Sequence, residues 1–88
     1  MNRSNIIIND FKEGMNIKGF YLCKYIESKI TRLGDEYLDL HLEDKSGSVR
    51  AKIWSFVDNY KNLIKVGMPV AVKGTIIKYN DNKEINIT

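Results

Sequence analysis

The sequence has very few residues that could hold it together covalently or bind a metal. Its 88 residues include one cysteine, Cys23, and one histidine, His41. A single cysteine cannot form an internal disulfide, and the two residues are too few for a multi-cysteine zinc site. The sequence therefore predicts a fold that depends on its apolar core, with no metal and no cofactor.

The residue types of a nucleophilic site are present, but their arrangement is unfavourable. Cys23, Asp39 and His41 contain the groups of a Cys-His-Asp site. Cys23 falls on a strand, where a free cysteine usually acts as a small buried side chain. No helix N-terminus is expected nearby to lower the pKa of its thiol. We therefore expect this chain not to be an enzyme.

Long apolar runs are also absent. Residues 6–8 are three isoleucines, too short a run for a signal-peptide core or a membrane span. A cytoplasmic location without a membrane partner is expected. The length allows one domain with a modest core. Fourteen Lys and Arg residues against eleven Asp and Glu residues give a net charge of +3, which permits an anionic partner without selecting one.

Two runs of alternating apolar residues flank a polar turn in the middle of the chain. A period of two is typical of strands with one buried and one solvent-facing side. Residues 44–47 have the composition of a hairpin turn, with Gly47 free to adopt a positive φ. The predicted inner face consists of Leu38, Leu40, Leu42, Val49, Ala51 and Ile53.

The outer face of this hairpin combines aromatic and charged residues. Its members are Tyr37, Asp39, His41 and Glu43 on the first strand and Arg50, Lys52 and Trp54 on the second. A tryptophan in line with two cations on a solvent-facing sheet indicates a binding surface. The two carboxylates weaken the attraction for phosphate, so we expect a groove centred on the second strand and the neighbouring basic loops.

The rest of the chain predicts three more strands and one helix. Strand 1, over residues 15–29, has apolar residues on both sides of Gly19, which indicates a bulge there. Of Phe20 and Tyr21, one is expected in the core and one outside. The other predicted segments are a flexible lead-in over 1–9, a helix from 55 or 56 to 66 capped by Ser55, and strands over 70–79 and 83–88.

The element order is therefore β-β-β-α-β-β. This order predicts an all-β protein, a five-stranded OB-fold Greek-key barrel with a small helix between strands 3 and 4. A barrel of the SH3 type is the structural alternative, but it lacks a helix at that place. The barrel domain is expected over residues 10–88. Because the sequence stops inside a strand-like pattern, we expect a domain cut from a longer chain.

Several motifs resemble one family, the N-terminal OB domains of bacterial 3′–5′ exoribonucleases of the YhaM type. The residues that carry the resemblance are Gly19-Phe20, Leu42-Glu43-Asp44-Lys45-Ser46-Gly47-Ser48-Val49, Ala51-Lys52-Ile53-Trp54 and Val72-Lys73-Gly74-Thr75. The hairpin motif is shared with many nucleic-acid-binding OB domains, including anticodon-binding domains of tRNA synthetases. The resemblance implies an RNA-binding role beside a separate C-terminal HD-type catalytic domain, which this chain does not include.

OB-folds bind oligonucleotides on the face of strands 2 and 3 and on the loops beside it. The candidate nucleic-acid-binding residues are Tyr37, His41, Arg50, Lys52, Trp54, Lys29, Arg32, Lys78, Tyr79 and Lys83. Each has a structural alternative. Trp54 could pack against Phe56 or fill the barrel end, Arg50 and Lys52 could form a solvated salt-bridge ladder with Asp39 or Glu43, and the loop cations could simply be solvated.

These observations favour a module that binds single-stranded nucleic acid, and RNA in particular, and presents it to a separate exoribonuclease domain. An anticodon-binding domain of a tRNA synthetase is the alternative within the same class. A protein-interaction or oligomerisation domain is the alternative from another class. The sequence does not distinguish RNA from DNA, since that depends on contacts to the 2′-hydroxyl.

Overall fold

The structure, a computed structural model, describes residues 6–88. Over these residues five strands form a closed barrel in the order β1-β2-β3-β5-β4. Their bounds are β1 Asn16–Ile30, β2 Glu36–Asp44, β3 Gly47–Ile53, β4 Pro69–Tyr79 and β5 Asn82–Ile87. Helix α1, Val57–Leu63, lies between β3 and β4 in the chain. The predicted element order and OB-fold barrel are confirmed.

The central hairpin has the predicted inner face. Leu38, Leu40 and Leu42 are fully buried, and the three inward residues of β3 are buried opposite them. Strand β5 then joins β3 in parallel and β4 in antiparallel pairing, which closes the barrel. Each strand therefore has a hydrogen-bonded neighbour on both sides, and no long sheet edge is left.

Strand β1 bends at a different residue from the one expected. Pairing with β4 is continuous through Gly19, whereas the register with β2 shifts between Cys23 and Tyr25. The extra residue there reverses which side chains face inward, so the prediction of a bulge at Gly19 was wrong in position. Tyr21 lies in the core and Phe20 is exposed, which settles their assignment.

The segment before β1 is packed against the barrel. Residues 8–10 form a 3-10 helix, here called η1, and both Ile8 and Phe11 are buried. The Ile8 amide donates to Asp44 Oδ2 at 2.8 Å, and the Tyr21 hydroxyl donates to the carbonyl of Ile6 at 2.7 Å. The part of the expected flexible lead-in that covers residues 6–9 thus packs against the barrel. Residues 1–5 lie outside the described residues.

The β2–β3 turn is held by a side chain rather than by a glycine conformation. Gly47 does not have the predicted positive φ and instead begins β3. Asp44 Oδ1 accepts hydrogen bonds from the amides of Ser46 and Gly47 and from the Ser46 hydroxyl. One carboxylate therefore fixes the turn and, through Ile8, the N-terminal segment.

Helix α1 is shorter than predicted. Its N-cap is Phe56, in the left-handed region at φ 56°, and not Ser55, and no side chain caps the helix. The predicted apolar face is only partly used, because Ile64 is buried while Leu63 remains exposed. The helix therefore covers little of the core.

Gly74 provides a test of barrel closure. A Cβ at this position would lie 2.5 Å from the Asn86 carbonyl oxygen on the neighbouring strand, whereas at Gly47 it would meet only the movable side chain of Asn9 at 3.1 Å. Because backbone cannot move aside cheaply, Gly74→Ala should lower the free energy of unfolding by about 1–3 kcal/mol, and Gly47→Ala by less than about 1 kcal/mol. Urea unfolding followed by circular dichroism measures both; equal losses would contradict the close approach at Gly74.

Asp44 provides a test of the turn and the N-terminal segment. Its hydrogen bonds lower the pKa of the carboxyl below the usual 3.8, although burial alone would raise it. A lowered pKa contributes stability that is complete above the usual value and disappears as pH falls through the value of the folded protein. Asp44→Asn should therefore destabilise the protein at pH 7, and this effect should shrink as the pH is lowered below the usual value of 3.8. A difference in urea midpoint that stays constant over this range would contradict the assignment.

Candidate nucleic-acid interface

The candidate residues lie on the outer side of β1, β2 and β3, with residues of β4 and β5 beside them. Strand pairing sets Lys29 beside Tyr37, Asp39 beside Lys52, and His41 beside Arg50. Neighbouring side chains on one face of paired strands lie close enough to interact. The candidate residues of the central hairpin are therefore gathered on one surface.

Trp54 lies immediately after β3 and stacks on Tyr37. The ring centroids are 4.5 Å apart and the planes are inclined by 27°. Trp54 is 44% exposed, so it does not fill the barrel end, and Phe56 is 72% exposed. The two rings thus form an open aromatic surface at one end of the face.

Lys52 joins Tyr79 to this surface. Its Nζ lies 5.6 Å from the Tyr37 ring centroid and 4.9 Å from the Tyr79 ring centroid, within the range of cation–π attraction. We call Tyr37, Lys52, Trp54 and Tyr79 the aromatic cluster. All four were predicted as binding residues, and the structure brings them together from three strands and the segment after β3.

Asp39 lies in the middle of the face, but it is not exposed as the sequence suggested. It is 1% exposed, and its Oδ2 is 2.9 Å from Lys29 Nζ and 3.1 Å from Arg50 Nη2. The hydrogen bond to Asp39 and its charge raise the pKa of the Lys29 amine. Lys29 reaches Asp39 from β1. The alternative that Arg50 pairs with Asp39 is confirmed, but the pair is not solvated on the acidic side, because the two cations cover this carboxylate.

Glu84 is a second buried carboxylate on this face, and it was missed from the sequence. It is 3% exposed and its Oε1 lies 3.3 Å from Lys52 Nζ. Glu43, the other expected partner, instead approaches Lys24 at 3.8 Å. The sequence did contain a signal for its orientation. Glu84 precedes the inward-facing Ile85 on a strand, so its side chain had to face outward, on the same side as Lys52.

Tyr25 is another residue that the sequence did not identify. Its ring lies 4.7 Å from the His41 ring at a tilt of 41°, and its hydroxyl donates to Glu27. That hydrogen bond raises the pKa of the Tyr25 hydroxyl. Tyr25 faces outward only because the bulge after Cys23 changes the parity of β1. His41 Nε2 is buried and has no hydrogen-bond partner among residues 6–88.

A groove of about 710 Å³ continues the face beyond His41. The polar and charged residues that line it include two carboxylates; they are Asn9, Lys24, His41, Glu43, Ser48, Arg50, Asp81, Asn82 and Lys83. Lys83 Nζ donates to the Phe11 carbonyl at 2.6 Å, which ties β5 to the segment after η1. Lys83, a predicted binding residue, therefore lines the groove and also holds the N-terminal segment in place.

The two remaining candidates are less closely placed. Arg32 is exposed in the loop between β1 and β2. Lys78 is exposed and lies opposite Lys83 in the β4–β5 hairpin. Neither belongs to the aromatic cluster, and their contacts to phosphate stay predictions.

Residues 6–88 contain no group of three or more His, Cys, Asp and Glu side chains that could hold a metal ion. Cys23 is fully buried, and burial raises the pKa of its thiol. None of the helices in this part of the chain is long and apolar enough to cross a membrane.

The barrel order and the aromatic, basic face of β2 and β3 define a nucleic-acid-binding barrel of the OB type. The family described as the OB-fold nucleic acid binding domain, tRNA anti-codon type, matches residues 22–88. The chain belongs to this family.

The chain is also similar in sequence to curated proteins and in fold to a solved structure. The 3′-5′ exoribonucleases YhaM from three strains of Listeria monocytogenes are each 31% identical over 78 residues, which cover 89% of this chain and 25% of the relative. The chain thus spans about a quarter of the length of these curated relatives. The second OB-fold domain of replication protein A from Methanococcus maripaludis superposes with a TM-score of 0.73 at 18% identity, covering 96% of this chain and 89% of that one. The similarity to that structure shows the fold.

The stack of Tyr37 on Trp54 can be tested without a ligand, because Trp54 is the single tryptophan. Tyr37→Ala should expose more of the indole to water and shift its fluorescence emission to longer wavelength. Tyr60→Ala, on α1, removes a partly exposed tyrosine from outside the cluster and should leave the emission unchanged. Identical spectra for wild type and Tyr37→Ala would contradict the stack.

Proposed function

We propose that this domain binds single-stranded RNA along the face of β2 and β3. The observation that carries the proposal is the open Tyr37–Trp54 stack with Lys52 beside it. Bases stack on such rings without regard to sequence, and a nearby cation attracts the phosphate of the same nucleotide. A double strand has its bases already stacked and paired, so it offers this surface only phosphates.

The bound RNA would run from the aromatic cluster across Arg50 to the groove beside His41. Tyr37 and His41 are four residues apart on one strand, which corresponds to about 13 Å. A ligand that reaches both the cluster and the groove needs about four nucleotides or more, the lower end of the range for one OB-fold. Base contacts are proposed for Tyr37, Trp54, Tyr79 and His41, and phosphate contacts for Lys29, Arg32, Arg50, Lys52, Lys78 and Lys83.

The choice of RNA and the role in a larger protein rest on the relatives. The YhaM proteins are 3′-5′ exoribonucleases, and this chain corresponds to a quarter of their length. We infer that the domain holds RNA for a separate catalytic domain of a longer protein. Titration with a 10-nucleotide oligo-U and the matching oligo-dU tests the choice of sugar. Equal affinity for both would leave binding to single strands standing but remove the preference for RNA.

The family description favours a second ligand of the same class, the anticodon loop of a tRNA. Such a loop also presents unpaired bases, but on a closed stem. An anticodon stem-loop that binds at least tenfold more tightly than an unstructured oligomer of equal length would favour this alternative.

Trp54 and Phe56 form a matched pair for testing the site, since both are aromatic, partly exposed and two positions apart. Trp54→Ala should weaken oligo-U binding by about 1–3 kcal/mol, roughly 5- to 150-fold in Kd, because one stacking surface is lost. Phe56→Ala should stay within about twofold of wild type, since nothing stacks on it in this proposal. Fluorescence anisotropy of a labelled oligomer measures both. Equal losses, or none, would place the ligand elsewhere.

A further inference from the structure

The cations at the centre of the face are all engaged by carboxylates of the same face. Asp39 binds Lys29 and Arg50, and Glu84 binds Lys52. The carboxylate side chains are only 2% and 4% exposed, whereas Arg50 is half exposed. The negative charges therefore lie beneath the positive ones, directly under the surface on which a ligand would lie.

Stability alone does not account for these carboxylates. Burying an ion pair costs desolvation energy that its attraction often fails to recover, and apolar residues of similar volume are commonly as stable or more so. The two carboxylates are also incompletely satisfied. Among residues 6–88, Asp39 Oδ1 has no hydrogen-bond partner, and Glu84 Oε1 has the ion pair with Lys52 but no hydrogen bond. A role in ligand choice explains their presence better than a role in folding.

The consequence for a ligand follows from where its phosphates must lie. Three cations and two carboxylates leave the centre of the face with a small positive charge. Bases stacked on the rings hold the nucleic acid above the face, so its phosphates reach Lys29, Arg50 and Lys52 only from the solvent side, with these cations between them and the buried carboxylates. A polyanion without unpaired bases must bring its phosphates onto the face itself, where Asp39 and Glu84 repel them and compete for the same cations.

We propose that Asp39 and Glu84 are specificity-determining residues that make this face select unpaired bases and reject other polyanions. The inference rests on the proposed single-strand binding and adds how the ligand is chosen. It assigns a function to two residues that touch no stacking surface. It also accounts for the presence of carboxylates on a face that is otherwise suited to phosphate.

Asp39→Asn and Glu84→Gln test this directly, because each removes a charge and keeps the shape and an acceptor. Lys29 and Arg50 are exposed enough to turn toward water when Asp39 loses its charge, so the barrel should still fold. Asp58→Asn makes the same change of net charge on α1, at a side chain that is 81% exposed, and is the matched control. Thermal unfolding by circular dichroism checks each variant.

Affinities are measured for three ligands with similar numbers of phosphates: oligo-U, a blunt RNA duplex and inorganic polyphosphate. Asp39→Asn should raise the affinity for duplex and polyphosphate by about fivefold at low salt, and that for oligo-U by no more than about twofold. The slope of log K against log salt for polyphosphate should steepen by about 0.7 for each cation released. Glu84→Gln should act in the same direction, and Asp58→Asn should leave the ratio of affinities unchanged.

The outcomes separate the two proposals. If wild type binds oligo-U and neither face variant changes the ratio of oligo-U to polyphosphate affinity, the inference is overturned and single-strand binding stands. The inference is also overturned if the variants lower the affinity for all three ligands equally, since the carboxylates would then only position the cations. If wild type binds no oligo-U, the proposed function and the inference both fall.

Discussion

Closure of the barrel is the constraint on which the rest of the molecule depends. Strand β5 pairs with both β3 and β4, and the approach is so close at Gly74 that a side chain would meet the backbone of β5. Closure turns one side of every strand toward a shared core and leaves the other side continuous from β1 to β5. The proposed binding surface lies on that outer side, so most of its residues are positioned by strand pairing.

The outer side combines two kinds of interaction with different ranges. The rings of Tyr37 and Trp54 act over contact distance and require a flat, unpaired partner. The charges act over several ångströms, and here they are largely balanced within the protein by Asp39 and Glu84. On such a surface, contact with the rings would select the ligand, and long-range attraction of phosphate would be weak. The exposed Arg32 and Lys78 provide unbalanced charge at its borders.

The sequence predicted those features that depend on local pattern. Alternation in the central hairpin was enough to assign Leu38 and its partners to the core, and the element order was enough for the fold. Features that depend on distant partners were not visible. Asp39 has outward parity, but its burial results from Lys29 on another strand lying over it. Tyr25 faces outward because of a bulge that no glycine marks, and Ile8 is buried because a carboxylate 36 residues away binds its amide.

The parallel pairing of β3 with β5 has a consequence for the order in which the chain can fold. The β1–β2–β3 meander is built from neighbours in sequence, but β1 pairs with β4 across a separation as long as Asn16 to Thr75, and β3 has no second neighbour until β5 is made. A chain leaving the ribosome therefore exposes the edge of β3, and with it one side of the incipient core, until its last strand emerges. Topologies rich in such distant pairings fold slowly for their size. The proposed binding surface is complete only when β5 pairs with β3, so it forms together with barrel closure.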